Sequence, residues 1–390
     1  MIGVASVIEA LGRGGAERLL VDTARLIDRA RFDFRVYTLF PIRRDYEAAL
    51  RELAVAEECL GLHGPTDLVR GVRGLLRAWR QHRPQVVHTH LLAAHLTGRL
   101  AAKLADLPVV STLHGLDYAA EVRLANPRIS RVKQLILRAA EAASIAVSDT
   151  RVVAVSECVA RAAHSTLWVP RRRIDVIPNA VDTSRFRPDP DDRVAMRASM
   201  GVAASTPLIL CVGRLTPEKG HETLLRAMHD LRARGDDCQL LLVGEGPLRP
   251  GLERQARELG LGGNVHFMGQ RWDVPSLLHA ADILALPSLH EGFGLVLAEA
   301  LASGVPVVAS RTGPVPEIVR EEETGLLFAP GDSRGLAATL HRLLAAPALR
   351  REMGCRGRVD AVARFALPAM VHRLESLYER VTEADPRGRA

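Results

Sequence analysis

At 390 residues, with 47% apolar and 25% charged positions, the chain is long enough for two domains of roughly 200 residues each and too apolar to be disordered. No apolar run approaches the roughly 18 residues of a membrane span, and five scattered cysteines without a CxxC pair indicate neither a disulfide framework nor a zinc site. The net charge of +7 is uneven, because residues 1–185 carry 27 Lys and Arg against 19 Asp and Glu. That excess points to an anionic membrane surface or a phosphate-bearing acceptor. With 4% aromatics and no recognisable binding motif, nucleic acid is not expected as a partner.

The first residues, MIGVASVIEALGRGG, have no basic leader and read as a strand, so a cytoplasmic protein is expected. Residues 2–8 form the strand, Gly12, Gly14 and Gly15 a loop, and AERLLVDTARLI a helix. The glycine spacing departs from GxGxxG, so a dinucleotide cofactor is not supported; the glycines still allow a ligand close to the backbone. Strand-like runs follow at Phe34–Leu39, Val86–Thr89, Val109–Leu113 and Ser144–Ser148, with helical patterns between them. This alternation is the α/β pattern. In the helix over 68–83, Arg70, Arg73, Arg77 and Arg80 form one face and Val69, Val72, Leu76 and Trp79 a second. Such a helix either lies on anionic lipid or covers a sheet with a solvated outer face, and the basic stretch Arg123 to Arg138 has the same two readings. His114 follows the strand VVSTL, at the carboxyl end where open parallel sheets bind ligands. His88 and His90 flank Thr89 on one side of another strand; no third metal-type ligand is expected beside them, so no metal site is proposed there.

The strand in RIDVIPNAVD leads into a Pro- and Asp-rich stretch that reads as a linker, including the triplet Asp189-Pro190-Asp191. A second α/β series then starts with strand 207–213 and the loop RLTPEKG. There Arg214 and Lys219, beside glycines, would neutralise a diphosphate. Strands 239–244 and 264–269 follow, and helical patterns fill 332–345, 348–364 and Pro368 to Glu383. The last of these carries Met370, Val371, Leu374, Leu377 and Val381 at helical spacing.

The most informative stretch is Asp282–Ser310, which reads strand, glycine loop, helix, strand. Glu291 falls in the loop and Glu299 in the helical run. Were the run between them mostly helical, the carboxylates would stand roughly 12 Å apart along the axis, gripping two parts of one extended ligand. Gly292 and Gly294 leave bare backbone N–H groups at the helix start, which suits a phosphate. A nucleotide-sugar carries all the features such a site would bind.

Together GGAER (14–18), STLHG (111–115), VIPNAVD (176–182), CVGRLTPEKG (211–220), LLLVGEGP (240–247), FMGQ (267–270) and EGFGLVLAE (291–299), in this order and spacing, resemble the retaining glycosyltransferases of the GT-B fold, family 4. The resemblance covers nearly the whole chain, and its most specific part is the E-x7-E of Glu291 and Glu299. It implies two Rossmann-like domains with parallel sheets facing across a cleft. The acceptor-binding domain would occupy 1–182, the donor-binding domain 183–365, and a helix over 366–390 would return to the first. It also implies roles. His114, Arg214, Lys219 and Glu291 would form the catalytic set, with Glu291 on the donor sugar, the two cations on the diphosphate and His114 near the reacting carbon. Gly15, Gly213, Gly244, Gly269, Gly292, Phe293, Gly294, Leu295 and Glu299 would bind the donor, with Glu299 on the ribose. No metal or other cofactor is expected. The expected donor is a UDP-hexose or UDP-N-acetylhexosamine. The expected acceptor is a glycan or lipid-linked molecule in cell-surface polysaccharide or glycolipid synthesis, met at the inner face of the plasma membrane. Two departures from the family pattern are His290, before EGFG, and Pro314, where a second glycine is usual. The alternatives are a nucleotide-sugar epimerase or hydrolase on the same fold and a non-catalytic binding partner.

Overall fold

The computed structural model describes residues 1–12, 14–42, 45–64, 67–115 and 130–384. It is α/β, with two sheets whose registered strand pairs all run parallel, the class expected. The first sheet contains β1 (Ile2–Ile8), β2 (Phe32–Thr38), β3 (Glu57–Cys59), β4 (Val86–His90), β5 (Val109–Leu113), β6 (Arg151–Ala154) and β7 (Ile174–Val176), in the order β3-β2-β1-β4-β5-β6-β7. The second contains β8 (Leu208–Val212), β9 (Gln239–Val243), β10 (Val265–Gly269), β11 (Ile283–Leu286), β12 (Val307–Ser310) and β13 (Gly325–Phe328), in the order β10-β9-β8-β11-β12-β13. Strand order reverses between β1 and β4 and again between β8 and β11. Such switch points, at the carboxyl ends of the strands, are where open sheets bind ligands. The central strands β4, β5, β11 and β12 are buried along their whole length, as parallel strands covered on both faces must be.

Two compact units result, one holding the described residues of 1–118, 129–179 and 367–390, the other 180–366. The terminal helix Leu367–Glu383 belongs to the first unit, where it buries Met370, Val371, Leu374, Leu377 and Tyr378. Glu375 accepts a hydrogen bond from the Asp28 backbone N–H at 2.8 Å, and Tyr378 meets Phe32 edge-on at 6.0 Å. The second unit has a continuous apolar core running from Ile209 through Leu240 and Ile283 to Leu340. No described helix is long and apolar enough to cross a membrane.

Two expectations fail. The run Ser144–Ser148 is not a strand but the end of the helix Arg131–Val147 and its C-cap; the strand is β6, beginning at Arg151. Period alone cannot separate a three-residue apolar run from a helical turn, and the Ala-rich AAEAAS before it favours the helix. Glu141, Ile145 and Ser148 then face inward, where Glu141 meets the fully buried Arg99 at 3.4 Å. The linker reading of Asp189-Pro190-Asp191 also yields. Asp189 caps the helix Pro190–Ser199 by accepting from the Asp192 N–H at 3.1 Å, with Pro190 in the first helical turn. Of the two basic segments, Leu68–Gln81 buries Val72, Leu75, Ala78 and Trp79 and exposes its four arginines. Residues 123–129 of the other lie outside the described residues. From Arg131 onward that segment exposes Val132, Leu135 and Ile136.

Candidate functional site

In the second unit the site grows from the loop after β8. The strand ends at Val212, and a short 3-10 turn, Pro217–Lys219, closes on Gly220 at φ +66° before the helix His221–Ala233. A Cβ at Gly220 would lie 2.1 Å from the Pro287 carbonyl oxygen, so this glycine lets the loop rest directly on the carboxyl end of β11. The Leu289 N–H donates to the Glu218 carbonyl at 2.8 Å and fastens the two loops. Lys219 thereby reaches Glu291, with Nζ 2.6 Å from Oε1, while the Ser288 hydroxyl donates to the same oxygen at 2.6 Å. The Glu291 side chain is 5% exposed and that of Lys219 20%, so a nearly buried carboxylate is held by a cation that still reaches solvent. Gly313, after β12, closes over this turn; a Cβ there would stand 2.8 Å from the Glu291 carbonyl oxygen.

Arg214 lies on the same loop and is largely exposed, with Nη2 donating to Glu218 Oε1 at 3.0 Å. Burial raises the Glu218 pKa, but the Thr216 hydroxyl, a backbone N–H and the charges of Arg214 and Lys219 outweigh it, leaving the carboxylate below its ordinary range. Glu218 and Ser288 are site residues that sequence reasoning missed. Gly213 and Gly244 follow β8 and β9 directly, Gly269 ends β10, and the three lie against each other. The Gly213 N–H donates to Val243 at 2.9 Å, the Gly244 N–H to Gly269 at 2.8 Å, and a Cβ on Gly244 would sit 1.9 Å from the Gly213 oxygen.

On the β11 side, Gly294 at φ +89° starts the helix Leu295–Ala302 without a side-chain cap. The helix therefore covers only part of the interval between Glu291 and Glu299. From Leu295 to Glu299 the rise is about 6 Å, so the helical separation of 12 Å does not apply. Glu299 is buried one turn into the helix. Phe293 points into the core, with its ring 6.0 Å from Phe365 at 84°, and so anchors the turn between the half-buried Gly292 and Gly294. Leu295 is half-buried. Pro314 precedes the short helix Val315–Ile318.

In the first unit, Gly15 is exposed at the start of the helix Gly15–Leu26, beyond the carboxyl end of β1. His114 lies just past β5 and does have histidine neighbours. Its Nε2 is 3.1 Å from His90 Nδ1, and the His88 and His90 rings lie 4.1 Å apart. His95, five residues on, bonds the Thr89 hydroxyl at 2.8 Å, but it is the pairing of β4 with β5, His90 opposite Thr112, that brings His114 to His90. Burial pushes the His88 imidazole down to about 3 and His114 to about 4, so both are neutral at pH 7. Among the described residues no group of three or more His, Cys, Asp or Glu side chains is arranged to hold a metal ion.

Comparison with known proteins adds a consistent set of likenesses. The family profile described as "Glycosyltransferase Family 4" matches residues 13–185, and "Glycosyl transferases group 1" matches 192–360. The chain is 34% identical to a D-inositol 3-phosphate glycosyltransferase of Segniliparus rotundus over 328 residues, 80% of this chain and 71% of the relative. It is 36% identical to a GDP-mannose-dependent alpha-(1-6)-phosphatidylinositol monomannoside mannosyltransferase of Mycolicibacterium smegmatis, over 54% of this chain and 57% of that one. In fold it is similar to Anabaena HepE in complex with UDP-glucose, with a TM-score of 0.85, 24% identity, and 97% of this chain and 100% of that chain covered.

Proposed function

The chain belongs to the group 1 glycosyltransferases of family 4, and on that footing we propose that it transfers a hexose from a nucleoside diphosphate to a phosphate-bearing acceptor with retention of anomeric configuration. The observation that carries the donor reading is the Lys219–Glu291 pair at 2.6 Å, with Arg214 on the same loop. It sets two cations and a carboxylate at the carboxyl ends of β8 and β11. Lys219 and Arg214 hold the diphosphate and offset the charge that grows on it as the bond to the sugar breaks. Glu291 accepts hydrogen bonds from the sugar hydroxyls, and Glu299 from the ribose. In the transfer step the C1–phosphate bond breaks, the acceptor oxygen bonds C1 on the same face, and the hydroxyl proton passes to the departing phosphate oxygen. His114 contacts the donor sugar and Gly15 its phosphates, as the resemblance implies. No metal is required, since the two cations supply the positive charge.

D-inositol 3-phosphate stands in one relative's name and phosphatidylinositol monomannoside in the other's, which supports a phosphorylated polyol, free or lipid-linked, as acceptor. The donor nucleotide is UDP, as expected from the sequence, or GDP, since the Mycolicibacterium relative is named as GDP-mannose-dependent. A lipid-linked acceptor fits the basic outer face of Leu68–Gln81 and the exposed Val132, Leu135 and Ile136 beside Arg131 and Lys133, which would rest on the cytoplasmic face of an anionic membrane.

The experiment is a thermal-shift screen of UDP- and GDP-hexoses and N-acetylhexosamines, followed by transfer assays with inositol phosphate and phosphatidylinositol vesicles and NMR of the product's anomeric proton. Stabilisation by one donor and an unchanged anomer support the reading. Consumption of donor at the same rate without acceptor would replace transfer by hydrolysis or epimerisation.

A further inference from the structure

The imidazole of His114 is not free to turn. Its Nε2 lies 3.1 Å from His90 Nδ1, and the two rings meet edge to edge, with centroids 5.4 Å apart and planes inclined by 29°. Behind His90 lies His88, fixed at both nitrogens: Nδ1 is 2.6 Å from the Tyr378 hydroxyl and Nε2 is 2.7 Å from the Thr112 hydroxyl. His88 and His90 are buried, and Tyr378 is wholly so. A row of contacting rings thus runs from the terminal helix, through β4, to the residue just past β5.

We propose that His90 is a positioning residue for sugar transfer, setting the ring plane of His114 and coupling its tautomer to that of His90, so that only the Nδ1 of His114 is presented to substrate, with Tyr378 steadying the row of rings through His88. The inference rests on the reading that His114 meets the reacting sugar. A neutral imidazole has one N–H and one lone pair, so a contact between Nδ1 of one ring and Nε2 of another consumes one of each. If His90 Nδ1 carries the proton, His114 Nε2 accepts it and His114 Nδ1 is an N–H. In the reverse arrangement His114 Nδ1 is a lone pair. The two rings therefore change tautomer together. Burial favours the neutral form of both, which keeps this coupling in force near pH 7.

Three substitutions separate the nitrogen from the ring. His90→Asn places an amide where Nδ1 lies, His90→Gln reaches instead toward the Nε2 position, and His90→Phe keeps a planar ring without any nitrogen. Donor and acceptor kinetics on the full chain should show kcat near wild type for His90→Asn. For His90→Gln and His90→Phe, kcat should fall on the order of 100-fold with donor KM little changed, the size of effect that follows misplacing a reacting group. Long-range 1H–15N spectra of the imidazoles supply a readout independent of activity: His114 in one tautomer in wild type and His90→Asn, and in a mixture in His90→Phe. Wild-type kcat and an unaltered His114 spectrum in His90→Phe would overturn the proposal. Should His90→Phe not fold, equal kcat in the Asn and Gln variants would do the same. His114→Ala is assayed alongside. Full activity there removes the underlying reading, whereas loss there with none in the His90 series removes this inference alone.

Discussion

Lys219 and Glu291 stand 72 residues apart in sequence and 2.6 Å apart in the fold, joined at a carboxylate oxygen that also accepts the Ser288 hydroxyl. Lys219→Ala leaves that carboxylate nearly buried with no cation, and breaking such a pair costs about 3 kcal/mol. Urea unfolding should show this loss, and the double variant Lys219→Ala/Glu291→Ala should regain part of it without regaining sugar transfer. Wild-type stability in Lys219→Ala would show that the pair is not formed in solution.

Arg214 offers the opposite separation of folding from function. Its side chain is 71% exposed and its partner Glu218 lies in the next turn, so Arg214→Ala should change stability by less than about 1 kcal/mol. Transfer should nonetheless fall on the order of 100- to 1,000-fold, the usual loss when a group stabilising transition-state charge is removed. Retained kcat/KM would exclude Arg214 from the diphosphate.

Gly244 and Gly251 make a contrasting pair. Gly244 sits at φ +141° with the Gly213 oxygen 1.9 Å from where a Cβ would be, so Gly244→Ala should destabilise by about 3 kcal/mol or more. Gly251 lies inside the helix Arg249–Glu258 with nothing within 4 Å of its Cβ position, so Gly251→Ala should stabilise by about 0.5–1 kcal/mol. Thermal unfolding of the two variants checks both signs.

The buried histidines make stability depend on acid. His88 is neutral in the fold down to about pH 3, while an unfolded histidine takes a proton below about 6.5. The unfolded chain then binds more protons, so the contribution is fully present above 6.5 and is lost as pH falls from there toward 3. The loss is about 1.4 kcal/mol per pH unit for this one group. Urea titrations between pH 7.5 and 4.5 should show the decline, and His88→Gln should lessen its slope. An unchanged slope would mean that His88 is protonated in the native state.

Metal removal is expected to be without effect. Transfer measured in excess EDTA should match that in magnesium; activity that needs added divalent cation would mean that Arg214 and Lys219 do not suffice.

The fold was legible where the chain speaks locally. VVSTL and the strand of Ile2–Ile8 have the right length and punctuation, and the E-x7-E stretch falls on the turn and helix that its glycines suggest. Reading failed where a partner decides. Ile145–Val147 resembles a strand until one knows that Glu141 on the same helix meets Arg99. The same holds for His114, which joins His88 and His90 only through strand register, and for Glu218 and Ser288, whose roles depend on Gly220 pressing two loops together. Glycine spacing marks such loops, but not which backbone each one will touch.

Because Tyr378 closes a sheet whose last strand ends at Val176, synthesis and folding run out of step. About 200 residues separate the two, roughly 10–40 s of elongation at 5–20 residues per second. Through that interval the ribosome-bound chain has the residues of all seven strands of the first sheet but not the helix Leu367–Glu383, and His88 has no tyrosine to bond. The second unit, whose sequence ends at residue 366, has all its parts on hand before the first does.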